Sequence, residues 1–414
     1  MRKFTGYFLF IWTAAFLTCA TITAYGAGFD LPDLDAFAVG RGMAVVATAD
    51  NPSAIYYNPA GISQLSGGNA RTGIYGIDLD PSYTASGTGK TIDNENQLHA
   101  VPQLYYTYGA RNCPVTLGLG IYTPFGLGLE WPQDSGFRTV TGALRSSLTY
   151  LTFNPVMAIK LAPNLAIGGG VSANYAYANL KQGLLSESPG SDYFEFKGDG
   201  WAVGYNLGLL WQPWQNVSLG ATFRSSTTVN LQGHTAAEGA APPASESLAN
   251  AEFSFPLEAV FGISYRPTPE WNFEFDADYA DWSALGTVVI HQQTPPPALP
   301  LSDVPVTLDW QSSWYFEWGA TRYLNNGWHV SAGYIFNENS VPDANYTPAV
   351  ADLDRHFFSV GIGRKGGKFD FDVAYQFGWG PTRTVTGASG LSAPANGKYD
   401  FISNALAASV EYHF

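Results

Sequence analysis

The chain of 414 residues has a formal net charge of −14, is 13% charged and 15% aromatic, and contains 45 Gly, 24 Tyr and 12 Trp. Acidity without a basic stripe excludes a nucleic-acid binder, and two cysteines, Cys19 and Cys113, exclude a disulfide-built scaffold. Mean hydropathy is −0.05, and no run of about 18 apolar residues follows the N-terminus, which excludes a bundle of membrane helices.

At the N-terminus, Arg2 and Lys3 precede an apolar run from Phe8 to Ile22, and Ala24-Tyr25-Gly26 supplies small residues before Ala27. This is the pattern of a secretory signal peptide over residues 1–26, cleaved after Gly26. Phe16-Leu17-Thr18 before Cys19 makes a poor lipobox, so a lipid anchor is not expected. Cleavage takes the charge to −16 and leaves Cys113 alone, so stability has to come from backbone pairing rather than a disulfide.

Residues 27–68 are rich in Gly and Ala and hold neither a period of 2 nor one of 3.6, which predicts an irregular plug rather than a strand or long helix. Within it, Tyr56-Tyr57-Asn58-Pro59-Ala60-Gly61 contains a turn-forming Asn-Pro pair.

From residue 69 to 414 the pattern changes to two-residue alternation in segments about 25 residues apart, parted by Gly, Pro, Asn, Asp or Ser clusters. The segments are 69–84, 96–110, 113–129, 147–161, 164–182, 199–212, 216–231, 250–266, 270–290, 306–324, 327–340, 354–365, 367–386 and 398–414. Short and long connections alternate, and aromatic residues concentrate on one parity. These features predict an all-β fold, a transmembrane antiparallel β-barrel of about fourteen strands, with both termini at the short-turn, periplasmic end.

The last strand sets Ile402, Leu406, Ala408, Val410, Tyr412 and Phe414 toward lipid and Ser403, Ala405, Ser409, Glu411 and His413 toward the lumen. By the same parity Glu274, Asp276, Asp278, Asp370 and Asp372 point inward, because an ionised carboxylate facing lipid costs kilocalories. In the third segment Pro124 removes a ladder donor and Gly126 and Gly128 weaken pairing, so a bulge or kink is expected around Pro124, Phe125, Gly126 and Gly128.

Several motifs mislead. Gly361-Ile362-Gly363-Arg364-Lys365-Gly366 fits a dinucleotide-loop pattern, and Gly89-Lys90-Thr91 the tail of a phosphate loop, yet neither precedes a helix. The six histidines show no paired ligand spacing, so neither a metal nor another cofactor is expected. Ser403 and His413 share a parity, but ten residues of extended strand hold them roughly 33 Å apart, and no catalytic residue is assigned.

The stretch AGFDLPDLDAFAVGRGMAVVATADNPSAIYYNPAGISQLSG resembles the N-terminal hatch of the FadL family, outer-membrane channels for long-chain fatty acids and other hydrophobic compounds, including aromatic hydrocarbons. Tyr122-Thr123-Pro124-Phe125-Gly126-Leu127 with Trp131, Phe153-Asn154-Pro155 with Gly168-Gly169-Gly170, and Tyr279-Ala280-Asp281-Trp282-Ser283 are similar to later family segments. So is Val341-Pro342-Asp343 followed by Asp352, Asp354 and Arg355. The resemblance implies a passive channel of the bacterial outer membrane, not an enzyme. It implies a hatch motif at Asn58, Pro59 and Ala60 and a lateral exit at the third-strand kink.

Its expected partners are a hydrophobic small molecule, the bilayer with its lipopolysaccharide, and the outer-membrane assembly machinery, which reads a terminal strand ending in Phe414. A monomer is expected. Lys181, Arg224 and Arg322 are the strand-borne cations considered for contact with a substrate head group. The alternatives are a general aqueous porin, which has no use for a plug of this length, and a membrane-embedded hydrolase.

Overall fold

The computed structural model describes residues 28–95, 98–185, 192–239 and 245–414. The expected signal peptide lies outside the described residues. Nineteen strand segments form one sheet. Four wall strands are each made of two segments and one segment is a short flap, so the wall is a closed antiparallel barrel of 14 strands.

In chain order these are β1 (Gly67–Ala85), β2 (Leu98–Gly109), β3 (Val115–Glu130), β4 (Arg145–Ala162), β5 (Leu165–Gln182) and β6 (Tyr193–Trp214). The interrupted strands follow: β7 (Val217–Arg224 and Thr227–Glu238), β8 (Ser245–Phe255 and Glu258–Thr268), β9 (Trp271–Ala280 and Thr287–Gln292) and β10 (Asp303–Thr307 and Ser313–Tyr323). The last four are β11 (Trp328–Asn337), β12 (Arg355–Arg364), β13 (Phe369–Val385) and β14 (Gly397–His413). The flap, Thr91–Asp93, folds back on the upper end of β1. Closure is by β1 on β14, in register from Asn69↔His413 to Ala85↔Gly397.

The alternation places side chains as the sequence implies. Ile402, Leu406 and Val410 are exposed on the outer face of β14, while Ser403, Ser409 and Glu411 are buried within. Trp271 and Phe273 likewise face outward, with Glu274, Asp276 and Asp278 inward. No helix among the described residues is long and apolar enough to cross a membrane.

Two features depart from the expected segments. β6 begins at Tyr193 rather than 199, and β7 runs to Glu238 rather than 231, paired from Tyr193↔Glu238 to Asp199↔Gln232. Phe194, Phe196, Leu231 and Ala237 are buried on the inner face of this extension. Their alternation is masked in the sequence by Gly198, Gly200 and Gly233. Second, β7 to β10 are not continuous. At residues 281–286 and 308–312 the chain leaves the wall and enters the lumen, burying Trp282 and Trp310.

Residues 28–66 fill the lumen as a plug of short pieces: α1 (Ala36–Val39), α2 (Ala54–Tyr57) and a 3₁₀ turn over Pro59–Gln64. Pieces this short are not stable by themselves. Their backbone groups have to find partners on the wall.

Candidate functional site

The plug is seated by inward-facing side chains of the wall. Asp35 caps α1, accepting from the Phe37 amide at 3.0 Å, and its carboxylate receives Arg71 of β1 through Nε at 2.5 Å and Nη2 at 3.0 Å. The same guanidinium reaches Asp372 of β13 at 2.7 Å and Glu411 of β14 at 3.5 Å. On the opposite wall, Asp276 Oδ2 accepts from the Val45 and Val46 amides at 2.9 and 2.8 Å. Glu274 accepts from the Ala47 and Thr48 amides at 2.7 and 3.0 Å, from the Thr48 hydroxyl, and from Arg41 of the plug at 3.1 Å. The inward carboxylates that alternation alone presents as lumen lining therefore satisfy plug backbone that has no ladder of its own.

Asn58 caps the 3₁₀ turn through the Ala60 amide at 3.1 Å, and its Nδ2 donates to Val46 and Leu209 carbonyls at 2.8 and 2.9 Å. Pro59 and Ala60 lie so close to Gly168 of β5 and Gly208 of β6 that a Cβ at either glycine would collide with the turn. Asp33, also in the plug, receives Gln376 Nε2 at 3.0 Å. Burial pushes its carboxyl up to about 7. Because that pKa is raised above its unfolded value, the neutral form is favoured in the seat. Its contribution to stability is complete below about pH 4 and is lost as pH rises through about 7. The protection of amides 28–66 from exchange, relative to the intrinsic rate at each pH, is accordingly expected to fall between about pH 4 and 7, and Asp33→Asn to remove this part of the pH dependence.

The wall is not paired throughout. β2 and β3 share a ladder only from Leu104↔Ile121 down to Gly109↔Thr116, so residues 98–103 of β2 have no β3 partner, a gap of about 20 Å along the strand. At its lower edge β3 bulges against β4, the register slipping between Tyr122 and Phe125. Here the plug substitutes for β2. Leu31 N donates to Pro124 O and Gly126 N to Phe29 O, each at 2.8 Å. The upper edge is closed by Glu95 N on Glu130 O at 2.8 Å. Phe125 turns inward onto Tyr150 and Phe255, both at 5.2 Å between ring centroids. Gly128 lies above the bulge, opposite Ser147.

Above the plug is a space of about 660 Å³ whose exposed lining is wholly apolar, built from Phe29, Leu148, Phe196, Leu231, Phe253 and Trp310 among others. Phe29 packs on Trp310 at 4.8 Å and on Phe253 and Trp282 at 5.6 Å. Gly28 before it, at φ +72°, leaves no room for a side chain beside the two indoles. Two long connections roof the space. Trp131 Nε1 donates to Pro348 O at 2.9 Å and Thr347 Oγ1 to Thr141 O at 2.9 Å, and Arg383 clamps the second connection through Val341 O and Asp343, each at 2.6 Å.

The three strand-borne cations have different fates. Arg322 is on the outer face, over Trp271 at 5.4 Å. Lys181, near the upper end of β5, stands 4.3 Å over the Tyr193 ring. Arg224 faces the lumen, but Glu258 binds its Nε and Asp278 lies 3.7 Å from its Nη2. None of the three lines the apolar space. Among the described residues Asp370, Glu411 and His413 bring ligand atoms within 4.8 Å of one another. They are already engaged, His413 with Asn69 at 2.8 Å and Asp370 at 3.2 Å, and Glu411 with Arg71.

Phe29, Asp35, Arg71 and Glu258 were not singled out from the sequence, and Tyr56 only as part of the Tyr56–Gly61 motif. The one local signal was Asp35 ahead of the apolar Ala36–Val39, a helix-cap pattern.

Residues 17–414 match the profile of a family described as outer membrane protein transport protein (OMPP1/FadL/TodX). The long-chain fatty acid transport protein of Salmonella typhi is 22% identical over 401 residues, covering 86% of this chain and 88% of that protein. A Pseudomonas aeruginosa FadL homologue of known structure is similar with a TM-score of 0.81 at 17% identity, over 94% of this chain and 100% of the other. The Pseudomonas putida toluene transporter TodX gives 0.71 at 16% identity, over 95% and 99%.

Proposed function

Since the chain belongs to the OMPP1/FadL/TodX family of outer-membrane transport proteins, we propose that it is a passive channel by which hydrophobic small molecules, fatty acids or hydrocarbons, enter the cell. In this reading a molecule is captured under the roofing loops, occupies the apolar space, displaces the plug segment Phe29–Leu31, and leaves sideways into the bilayer between β2 and β3. The observation that carries it is the double role of Phe29. Its ring lines the apolar space, and its carbonyl holds Gly126 at the wall break. Filling the space thus acts on the segment that occupies the break.

Such a route needs no energy source, because an alkyl chain that never returns to water avoids about 0.8 kcal/mol for each CH₂. The reading takes residues 27–68 as the plug and 69–414 as the barrel. As a plugged channel the intact protein should be silent in planar bilayers, and Phe29→Ala, which removes the ring but not the carbonyl, should raise passage of a hydrophobic probe by a few fold. Steady porin-sized conductance of the unaltered protein would instead favour the aqueous-porin alternative.

A further inference from the structure

A second cavity, of about 440 Å³, lies beside the wall break and differs chemically from the first. It is bounded by Tyr56 of the plug, Tyr122, Pro124 and Phe125 of β3, and Arg224 and Glu258 from β7 and β8. Most of its polar groups serve one another. The Tyr122 hydroxyl donates to Asn154 at 2.9 Å, the Tyr150 and Thr227 hydroxyls meet at 2.7 Å, and Thr152 donates to Asn174 at 2.9 Å.

Two polar atoms do not: the Tyr56 hydroxyl and Glu258 Oε1 are buried without a partner, in residues each 1% exposed. They are neighbours through Arg224, whose Nε holds the other Glu258 oxygen. Its guanidinium lies 4.3 Å over the Tyr56 ring, and its Nη1 donates to the Tyr56 carbonyl at 3.3 Å. A buried donor and a buried acceptor left unmade beside a cavity lined by both aromatic and polar side chains mark a place for a ligand that supplies both.

We propose that this cavity recognises a neutral molecule with one hydroxyl on an apolar body, a phenol or an alcohol. Its O–H donates to Glu258 Oε1, its oxygen accepts from the Tyr56 O–H, and its body packs on Phe125 and Tyr122. The proposal rests on reading the lumen as the uptake route. A carboxylate fits poorly, because Glu258 and Asp278 already share Arg224 and a third anion would be buried unpaired. An ammonium would have to shed its water to cross the apolar space and has no lone pair for Tyr56. A plain hydrocarbon leaves both atoms unmade, the situation in which polar sites discriminate most strongly.

The test uses p-cresol, toluene and 4-methylbenzoate, which share one body. Binding is measured by calorimetry on the full-length protein in detergent, against free aqueous ligand, and entry is followed in proteoliposomes. We expect p-cresol to bind about tenfold or more tighter than either of the others. Tyr56→Phe, which keeps the ring on Tyr57, Tyr122 and Arg224, should lower the cresol-to-toluene ratio several-fold, the bond to Glu258 Oε1 remaining. Equal binding of p-cresol and toluene to the unaltered protein overturns the hydroxyl site, its two atoms then being served by water, while the channel reading stands if both compounds enter. A ratio unmoved by Tyr56→Phe, or tighter binding of 4-methylbenzoate, overturns it too. If none of the three binds or enters, both readings fall.

Discussion

Arg71→Ala should unseat the plug while leaving the barrel closed. Arg71 is 2% exposed and is shared by Asp35, Asp372 and Glu411, so its loss leaves three buried carboxylates without their common cation, Asp372 keeping only His329 at 2.8 Å. Removing one partner of a buried ion pair typically costs about 3–5 kcal/mol. Most of that should fall on the plug, because Asp35 is its cap on this side, whereas β1 retains its long ladders with β2 and β14. The expected result is steady conductance in planar bilayers and rapid hydrogen exchange across residues 28–66, with the unheated protein still running as a folded barrel on gels. A silent, protected variant would mean that the Glu274 and Asp276 contacts on the opposite wall hold the plug by themselves.

The second large effect is expected from straightening β3 by replacing Pro124 with Val and both Gly126 and Gly128 with Thr. Valine restores the missing N–H, and three β-branched residues favour a regular pleat, so β3 should extend its pairing over residues 98–103 of β2. This also competes with the plug, because the Pro124 carbonyl and the Gly126 amide now serve Leu31 and Phe29. Uptake of a hydrophobic probe should fall about tenfold or more, while binding in the apolar space, remote from the ladder, persists. Should the variant transport normally with a demonstrably closed wall, substrate leaves axially and the lateral route is wrong for this chain.

Both effects depend on pairings that sequence reading reaches unequally. Strand number, strand parity, the inward direction of Glu274, Asp276 and Asp372, and the side of the long connections were all readable along the chain. Each is a local property: a pleated backbone sends residues i and i+2 to one face, and the bilayer admits only apolar side chains on the other. The proline and glycines of β3 also declared a weak ladder.

What those residues do with the weakness was settled only in three dimensions. Whether Pro124 ends a strand or borders a gap depends on β2, and on the plug segment Phe29–Leu31, some ninety residues earlier in the chain, which takes the freed backbone groups. The carboxylates of β9 could as well have faced water, and become anchors because the plug brings bare amides to them. Arg224 reads as a free cation and is already shared between Glu258 and Asp278. Trp282 and Trp310 leave regular strand patterns, and the two indoles are buried against Phe29 where six residues of one strand and five of the next give up their ladder. Period and polarity are fixed by neighbours along the chain, whereas the partner of a buried polar group is chosen by whichever complementary atom closure of the barrel brings within 3 Å or so, and that choice belongs to the tertiary structure.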